Sequence, residues 1–250
     1  MIKDVILLDS GDLPNELPAF ERWYLRYHAP EVMSRRGPFL VRFVGYRPLP
    51  PIPEALPYGY YNLRVTEAWF RSVQERPLQT PLLSFRWQAP WAKSNVLPGR
   101  SGLPPVECTV PAQPTDIFLG DKFNTDDKTI LRWFIVTKYP DGVPVEEGEE
   151  WFLNVHSKEV LQQPGLIVYS SHRTIAIPGR PNRWHRVSEQ WYEDFYGWRK
   201  SVIDSPPKYT RPSWAKYDTY PYVEPSVDFA STFLMERPSI DYLKEATAYP

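Results

Sequence analysis

A ten-residue stretch occurs twice in this chain. Trp23-Tyr24-Leu25-Arg26-Tyr27-His28-Ala29-Pro30-Glu31-Val32 is matched by Trp151-Phe152-Leu153-Asn154-Val155-His156-Ser157-Lys158-Glu159-Val160, with Trp, Leu, His, Glu and Val at the same positions. An internal repeat constrains the architecture before any local propensity does, because each copy must build the same unit. Two further correspondences follow in the same order. Arg64-Val65-Thr66-Glu67-Ala68-Trp69-Phe70 matches Arg186-Val187-Ser188-Glu189-Gln190-Trp191-Tyr192, and Trp91-Ala92-Lys93 matches Trp214-Ala215-Lys216. The three offsets are 128, 122 and 123 residues, a drift that short loop deletions explain.

Local patterns give each half the same plan. In the first, the apolar run at residues 4–9 predicts a strand. Phe20, Trp23, Tyr24 and Tyr27 fall on one face of a helix over 17–35, stopped by Gly37-Pro38. Strands are expected at 39–47 and from Tyr60, with a second helix near Trp69 to Glu75 and a short closing strand at 115–119. In the second half the expectations are a strand at 130–139, a helix at 146–163 stopped by Pro164-Gly165, and strands at 166–173 and 184–192. A helix to about Asp204 and a strand at 227–235 complete it. The 29 prolines imply long ordered loops between these elements. Each half therefore reads β-α-β-β-α-β, the ferredoxin-like unit. Such a unit leaves one sheet face bare, and two units in one chain can bury those faces together. The predicted class is α+β: two fused ferredoxin-like repeats, residues 1–125 and 126–250, forming one pseudo-dimeric α/β barrel with a cavity between its sheets.

The aromatic-x-x-x-x-His-x-x-Glu helix followed by Pro or Gly and a strand resembles the EthD-like branch of the dimeric α/β-barrel superfamily, over roughly 1–75 and 128–240. That resemblance implies cofactor-independent cyclases, decarboxylases, dehydratases, isomerases or monooxygenases of small aromatic or polyketide-like molecules. It also implies that the histidine of the first helix points toward the sheet and is linked to the site, and it is compatible with a homodimer of pseudo-dimers.

Histidine serves as acid or base near neutrality. His28 and His156 are candidates on the repeated helix, although histidines that merely hold helix to sheet would also recur. The halves differ elsewhere: Tyr46 aligns with His172, and Asn62-Leu63 with Trp184-His185, so three of four histidines lie in the second half. If one half is specialised for chemistry, His172 and His185 are the leading catalytic candidates. Arg64 and Arg186 sit mid-strand, where a guanidinium must find a partner or face a wet cavity. They could clamp a carboxylate or phenolate, or pair with Glu67 and Glu189, or with Glu31 and Glu159. Arg42 is also mid-strand and unmatched, with Tyr169 near its counterpart position. Tyr46 and Tyr169 can donate phenolic hydrogen bonds. Trp184, with Trp87, Trp91 and Trp214, can stack on a ring, and Lys93 or Lys216 could bring a positive charge to a barrel mouth.

Several classes are disfavoured. A net charge of −1 gives no field for nucleic acid or an anionic membrane. One cysteine, Cys108, rules out a disulfide framework or a cysteine metal cluster. The sequence has no phosphate-binding glycine motif, no His-Glu-x-x-His and no nucleophile elbow, so neither cofactor nor metal is expected. The N-terminus lacks the form of a signal peptide and no apolar run reaches membrane-span length, which predicts a cytoplasmic protein. The expected function is a cofactor-independent lyase acting on a small aromatic or phenolic acid held inside the barrel. The alternatives are a non-catalytic binding protein of the same fold, or a cyclase or monooxygenase of an aromatic polyketide-like substrate.

Overall fold

Ile2, Ile6 and Leu8 pack beneath a helix, while Val5 and Leu7 pack against a second sheet. The first strand, β1 (Ile2–Asp9), is thus buried on both faces and reads as a nearly unbroken apolar run. The computed structural model of the chain describes residues 1–9, 16–36, 39–50, 52–76, 106–120, 129–178 and 182–243. After β1 comes α1, a continuous helix built of an α segment Glu16–Trp23, a π segment Tyr24–His28 and an α segment Ala29–Arg36. Strands β2 (Arg42–Tyr46), β3 (Leu63–Phe70), β4 (Val106–Pro111), β5 (Asp116–Leu119) and β6 (Leu131–Thr137) follow. Helix α2 again joins three segments, Val145–Trp151, the π segment Phe152–His156, and Ser157–Val160. Then come β7 (Val168–Arg173), β8 (Arg186–Tyr192), α3 (Phe195–Arg199 with the π segment Lys200–Asp204), β9 (Phe229–Met235) and β10 (Ile240–Leu243).

The strands form two antiparallel sheets, in the orders β10-β2-β3-β1-β4 and β5-β7-β8-β6-β9. Four strands of each sheet keep the order of a ferredoxin-like unit. The fifth comes from across the molecule: β5 follows β4 in sequence but pairs with β7, and β10 follows β9 but pairs with β2. Gly45 on β2 lets this exchange happen closely, since a Cβ there would lie 2.8 Å from the Ile240 side chain and 2.9 Å from the Tyr24 hydroxyl. Backbone hydrogen bonds join the sheets along both sides, from Ile175 to Thr109 (2.7 Å) and from Tyr61 to Ser231 (3.1 Å). The space between them is filled by Val5, Leu7, Val65, Val106, Phe134, Val136, Trp184, Val187 and their neighbours. Where a cavity between the sheets was expected, these side chains form a buried apolar cluster.

Two expectations fail locally. Residues Trp69 and Phe70 do not start a helix. They extend β3, because they pair with Lys3 and Ile2 across β1 and are buried. Residues 116–119 do form a strand, but it edges the second sheet; the strand that closes the first is β4, which the sequence pattern did not reveal. Trp87, Trp91-Ala92-Lys93 and the Gly37-Pro38 stop lie outside the described residues.

The two π turns explain the spacing of the repeated motif. The Ala29 N–H bonds the Tyr24 carbonyl, and the Ser157 N–H bonds that of Phe152, five residues back. A ladder wound this way brings residues five apart onto one line. Trp23 and His28 stack at 4.8 Å and 27°, Trp151 and His156 at 4.9 Å and 15°. Each half has its own reason to leave the ordinary register. Pro30 brings no N–H for the Arg26 carbonyl. In α2 the Ser157 hydroxyl takes the Leu153 carbonyl at 2.8 Å.

Helix α2 also approaches its sheet closely at Gly148, where a Cβ would meet the Tyr139 ring at 2.4 Å. Gly148→Ala must push the helix or the ring aside, an overpacking cost of about 1–3 kcal/mol. The expected result is a lowered denaturant midpoint at unchanged slope, measured by urea titration; an unchanged midpoint would show that α2 is not held this tightly.

Candidate active site

Arg64 and Arg186 are almost wholly excluded from solvent, and each joins three elements. They lie on the helix-covered faces of β3 and β8. Arg186 grips Glu149 of α2 through Nε (2.9 Å) and Nη2 (2.6 Å), pairs through Nη1 with Asp116 of β5, and lies 4.6 Å from the Phe152 ring centre. Arg64 pairs with Glu21 of α1, donates to Ser239 just before β10, and stacks 3.8 Å over Tyr24. Both are paired to helix glutamates other than those the sequence suggested. Burial opposes the charge on Glu149, but hydrogen bonds from Arg186 and Tyr139 outweigh it and hold the carboxyl below its usual range. The same partner keeps Arg186 charged against burial. These guanidiniums bind the fold's own carboxylates, on the face away from the inter-sheet space.

A second set of charges lies between the sheets. Lys3 pairs with Glu67 at 2.8 Å, and the Trp69 indole N–H donates to the same carboxylate at 3.1 Å. On the other sheet Arg132 grips Glu189 with two bonds of 2.9 Å, and Trp191 donates to it at 2.9 Å. Tyr46 lies under Arg132 at 4.4 Å. His172 stands near Lys3, Glu67 and Glu189. Burial, with Lys3 adding to it, pushes its pKa down to about 4, and its Nδ1 is buried without a partner. Arg42 stacks on Trp69 at 5.2 Å and grips Asp241 of β10 at 3.0 and 2.7 Å. The structure thus brings His172, Tyr46 and Arg42 to the inter-sheet face, among buried side chains.

The pocket lies elsewhere, between the second sheet and α2. Its floor is Ser188 and Gln190 of β8 with Ile135 and Thr137 of β6. Its walls are Tyr139, Trp151, Phe152, His156 and Tyr169. Trp214, Tyr220, Pro221 and Val223, from the irregular segment between α3 and β9, roof it. It has about 20 Å³ of room for water, enough for one or two ordered molecules. His156 is sandwiched between Trp151 and Tyr220, the latter at 5.3 Å and 17°. Its Nδ1 is buried and has no partner, and burial drives its pKa down to about 3, so the ring is neutral at ordinary pH. The polar floor is internally bonded: Ser188 to Ser171 at 2.9 Å, and the Tyr192 hydroxyl to Gln190 at 2.7 Å and Gln163 at 2.6 Å. An aromatic enclosure over a polar floor, with one neutral imidazole, suits a small flat molecule carrying a few oxygen atoms.

Of the candidates named from sequence, His156 and Tyr169 line this pocket. His28 occupies the equivalent place under α1, stacked on Trp23. His185 is half-buried at the end of β8, where its ring stacks on Tyr139 (4.9 Å, 13°) and its Nδ1 accepts the Tyr139 N–H at 2.8 Å. Burial lowers its pKa as well. Trp184 is core between the sheets. Sequence reasoning missed Tyr139, Ser188, Gln190 and Tyr220. The only hint was tyrosine crowding at 209, 217, 220 and 222 in a loop, too little aromatic for a core strand and too much for a solvated turn. Among the described residues no His, Cys, Asp and Glu cluster could hold a metal ion, and no helix is long and apolar enough to cross a membrane.

Comparison with known proteins bears on the fold. The family model for the chalcone isomerase N-terminal domain matches residues 1–88. No curated protein matches the chain. Among solved structures, an anthrone oxidase-like protein aligns over 97% of this chain and 93% of its own, with a TM-score of 0.52 at 8% identity. A proposed monooxygenase from Lactobacillus acidophilus covers 97% of this chain and 96% of its own (TM-score 0.37, 11% identity), and one from Fusobacterium nucleatum covers 98% of both (TM-score 0.38, 12% identity). The chain therefore has an α+β fold of two antiparallel sheets with flanking helices, shared with the anthrone oxidase-like protein.

Proposed function

We propose that the chain is a cofactor-independent enzyme that moves a proton on a small aromatic or phenolic compound, held in the pocket between α2 and the second sheet. The observation that carries this reading is His156: a neutral imidazole with a buried, unpartnered Nδ1, set among aromatic walls. In a water-poor enclosure such a nitrogen accepts a hydrogen bond that water does not contest, and the negative charge developing on a substrate beside it restores the basicity that burial lowers. The reaction class is a lyase-type elimination: His156 takes the substrate proton as the bond to the leaving group breaks, and returns it to the departing hydroxide in loss of water, or to the carbon that keeps the electron pair in loss of carbon dioxide or formaldehyde. The match of residues 1–88 to a chalcone isomerase N-terminal domain suggests chalcones as a second substrate class to try, and those residues lie outside this pocket. Two finer readings go with this. The halves are fused repeats, as the shared motifs and the matching sheet orders suggest, and within the barrel proteins the chain is nearest the EthD-like branch.

The second half is favoured because substitutions between the halves open it. Tyr24, whose hydroxyl bonds Thr66 at 2.7 Å across the helix–sheet gap, corresponds to Phe152 facing Ser188. Ala68 corresponds to Gln190. One hydroxyl and one methyl are lost from the gap, and an amide is added to its floor. The residues earlier singled out between the sheets, His172, Arg42 and Tyr46, then act on the stability of the barrel, and the roles once given to Arg64 and Arg186 as anion clamps pass to the polar floor.

The test is turnover of a panel of phenolic acids and hydroxychalcones, followed by mass spectrometry and chiral chromatography. His156→Ala should lose about 10²–10⁴-fold in kcat/KM, the usual contribution of a positioned acid–base group, while His28→Ala keeps its activity. No product from any member of the panel, or an undiminished His156→Ala enzyme, sinks the reading.

The depressed pKa makes a second prediction. Between pH 5 and 8 His156 does not titrate, so the kcat/KM profile should show no inflection near 6.5 that disappears in His156→Gln. The stability sign is opposite to that of a paired histidine. Unfolding restores the ordinary pKa near 6.5, so the unfolded chain binds the extra proton. Stability contributed by keeping His156 neutral is complete above pH 6.5 and falls as pH drops toward 3, by up to about 1.4 kcal/mol per pH unit. Urea melts of wild type and His156→Gln across that window should differ in slope; parallel curves would mean that His156 is not desolvated.

A further inference from the structure

The pocket's room is for water, yet its walls are arranged for a ring. The discrepancy is one residue wide. Tyr220 sits in a cluster of rings: Trp151 stacks on His156, His156 on Tyr220 at 5.3 Å and 17°, Tyr220 on Tyr209 at 4.9 Å and 23°, and Tyr209 in turn touches His156 at 5.8 Å and 39°. Phe229 and Tyr222 close the sides edge-on, at 5.8 and 6.1 Å. Trp151 and His156 belong to α2, Phe229 to β9. Tyr220 comes from the tip of a tight loop that also carries Tyr222, closed by the Lys216 N–H on the Tyr222 carbonyl (2.7 Å) and the Tyr222 N–H on that of Thr219 (2.9 Å).

Its neighbours in the segment are bonded down. The Tyr209 hydroxyl receives Gln163 Nε2 at 2.8 Å, Thr210 donates to Glu159, Ser213 donates to Glu147 at 2.9 Å, and the Tyr222 hydroxyl donates to the Tyr209 carbonyl at 3.1 Å. The Tyr220 side chain makes no hydrogen bond among the described residues. Ring contacts hold it, and another ring could make the same ones. Each stacked pair is worth about 0.5–1.5 kcal/mol, so replacing one flat ring by another is close to neutral. Moving the tip loop breaks the Lys216–Asp228 ion pair (2.7 Å) and the Tyr222 bond to the Tyr209 carbonyl, but it unpairs no strand, and the anchors at 209–213 stay on α2.

We infer that Tyr220 is a built-in stand-in for the substrate: the phenol ring of a small planar ligand takes its slot beside His156 while the 216–222 loop swings away. This rests on the pocket proposed above as the site, and it names the class of molecule bound there, one with a flat para-substituted phenol end. A flat phenol can stack on His156 and Tyr209 as Tyr220 does, whereas a saturated ring has no π face to offer them.

The probe is p-cresol, the tyrosine side chain itself, with 4-methylcyclohexanol as the saturated control. Both are titrated into the full chain, wild type and Tyr220→Ala, by calorimetry. Removing the internal competitor should tighten p-cresol binding by about tenfold or more, the factor expected when the closed form holds nine molecules in ten. The saturated alcohol should gain far less. In the wild type, p-cresol should shift the His156 ring proton resonances and speed tryptic cleavage after the exposed Lys216. Equal gains for both alcohols would mark a mere cavity and overturn the inference. So would wild-type binding that leaves His156 and Lys216 unchanged. Tyr220→Leu, and the wild-type measurements, stand in if the alanine variant does not fold. No turnover is needed: binding without catalysis sinks the proposed function and leaves this slot standing, while catalysis without slot exchange does the reverse.

Discussion

A guanidinium buried on the helix side of each sheet is the constraint from which the rest of the structure follows. Arg186 is tied to its own strand, to Glu149 of α2 and to Asp116 of β5; Arg64 is tied to its own strand, to Glu21 of α1 and to Ser239 beside β10. A cation out of water needs its partners. Removing one partner from a buried pair costs about 3–5 kcal/mol, because the remaining charge is stranded. Each arginine therefore locks three things at once: how far the helix lies from the sheet, where along the sheet it sits, and which foreign strand edges it. The strand exchange is part of that lock, since Asp116 and Ser239 arrive on the segments that cross between halves. A substrate anion in the same place would have to displace the fold's own carboxylate.

That lock was partly legible in the letters. Arg-Val-(Thr/Ser)-Glu recurs, and a strand alternates its side chains, so positions three apart must face opposite ways. Arg64 and Glu67 cannot meet across one strand; parity sends the arginine under the helix and the glutamate between the sheets, where Lys3 awaits one and Arg132 the other. Pairing Arg64 with Glu67 on sequence proximity overlooked this. The helix-side partners Glu21 and Glu149 stand two residues before Trp23 and Trp151 and recur with them, a signal that was present and unread. The π turn was hidden for a different reason. A period of 3.6 was assumed, and on that assumption Trp and His five apart do not touch. Strand β5 was read as a strand but not as an exchanged one, and β10 was missed, because each is four residues long and such short strands carry no sign of their partner.

The pocket was the least legible part, because most of what makes it is not periodic. Its roof comes from a loop, whose chain path no hydrophobic pattern encodes. Its floor comes from differences between the halves that look conservative on paper. Tyr24 to Phe152 removes one oxygen, yet that oxygen is what bridges helix to strand in the first half through Thr66. Without it the second half must satisfy Ser188 sideways, on Ser171, and the gap beneath α2 opens.

The two histidines of the repeated motif show how a structural device becomes a chemical one. Each closes a π turn and lies flat on a tryptophan, and that stack needs only a planar ring. Nothing in it requires the nitrogens. In the second half the burial that makes a good stack also strips the imidazole of its proton and leaves Nδ1 without a partner. An unmet acceptor in the core costs about 1–3 kcal/mol, a cost the fold avoids easily by placing phenylalanine there. A histidine kept at that position, facing an aromatic slot that a loop residue fills for want of anything else, makes physical sense if the nitrogen's partner arrives from outside.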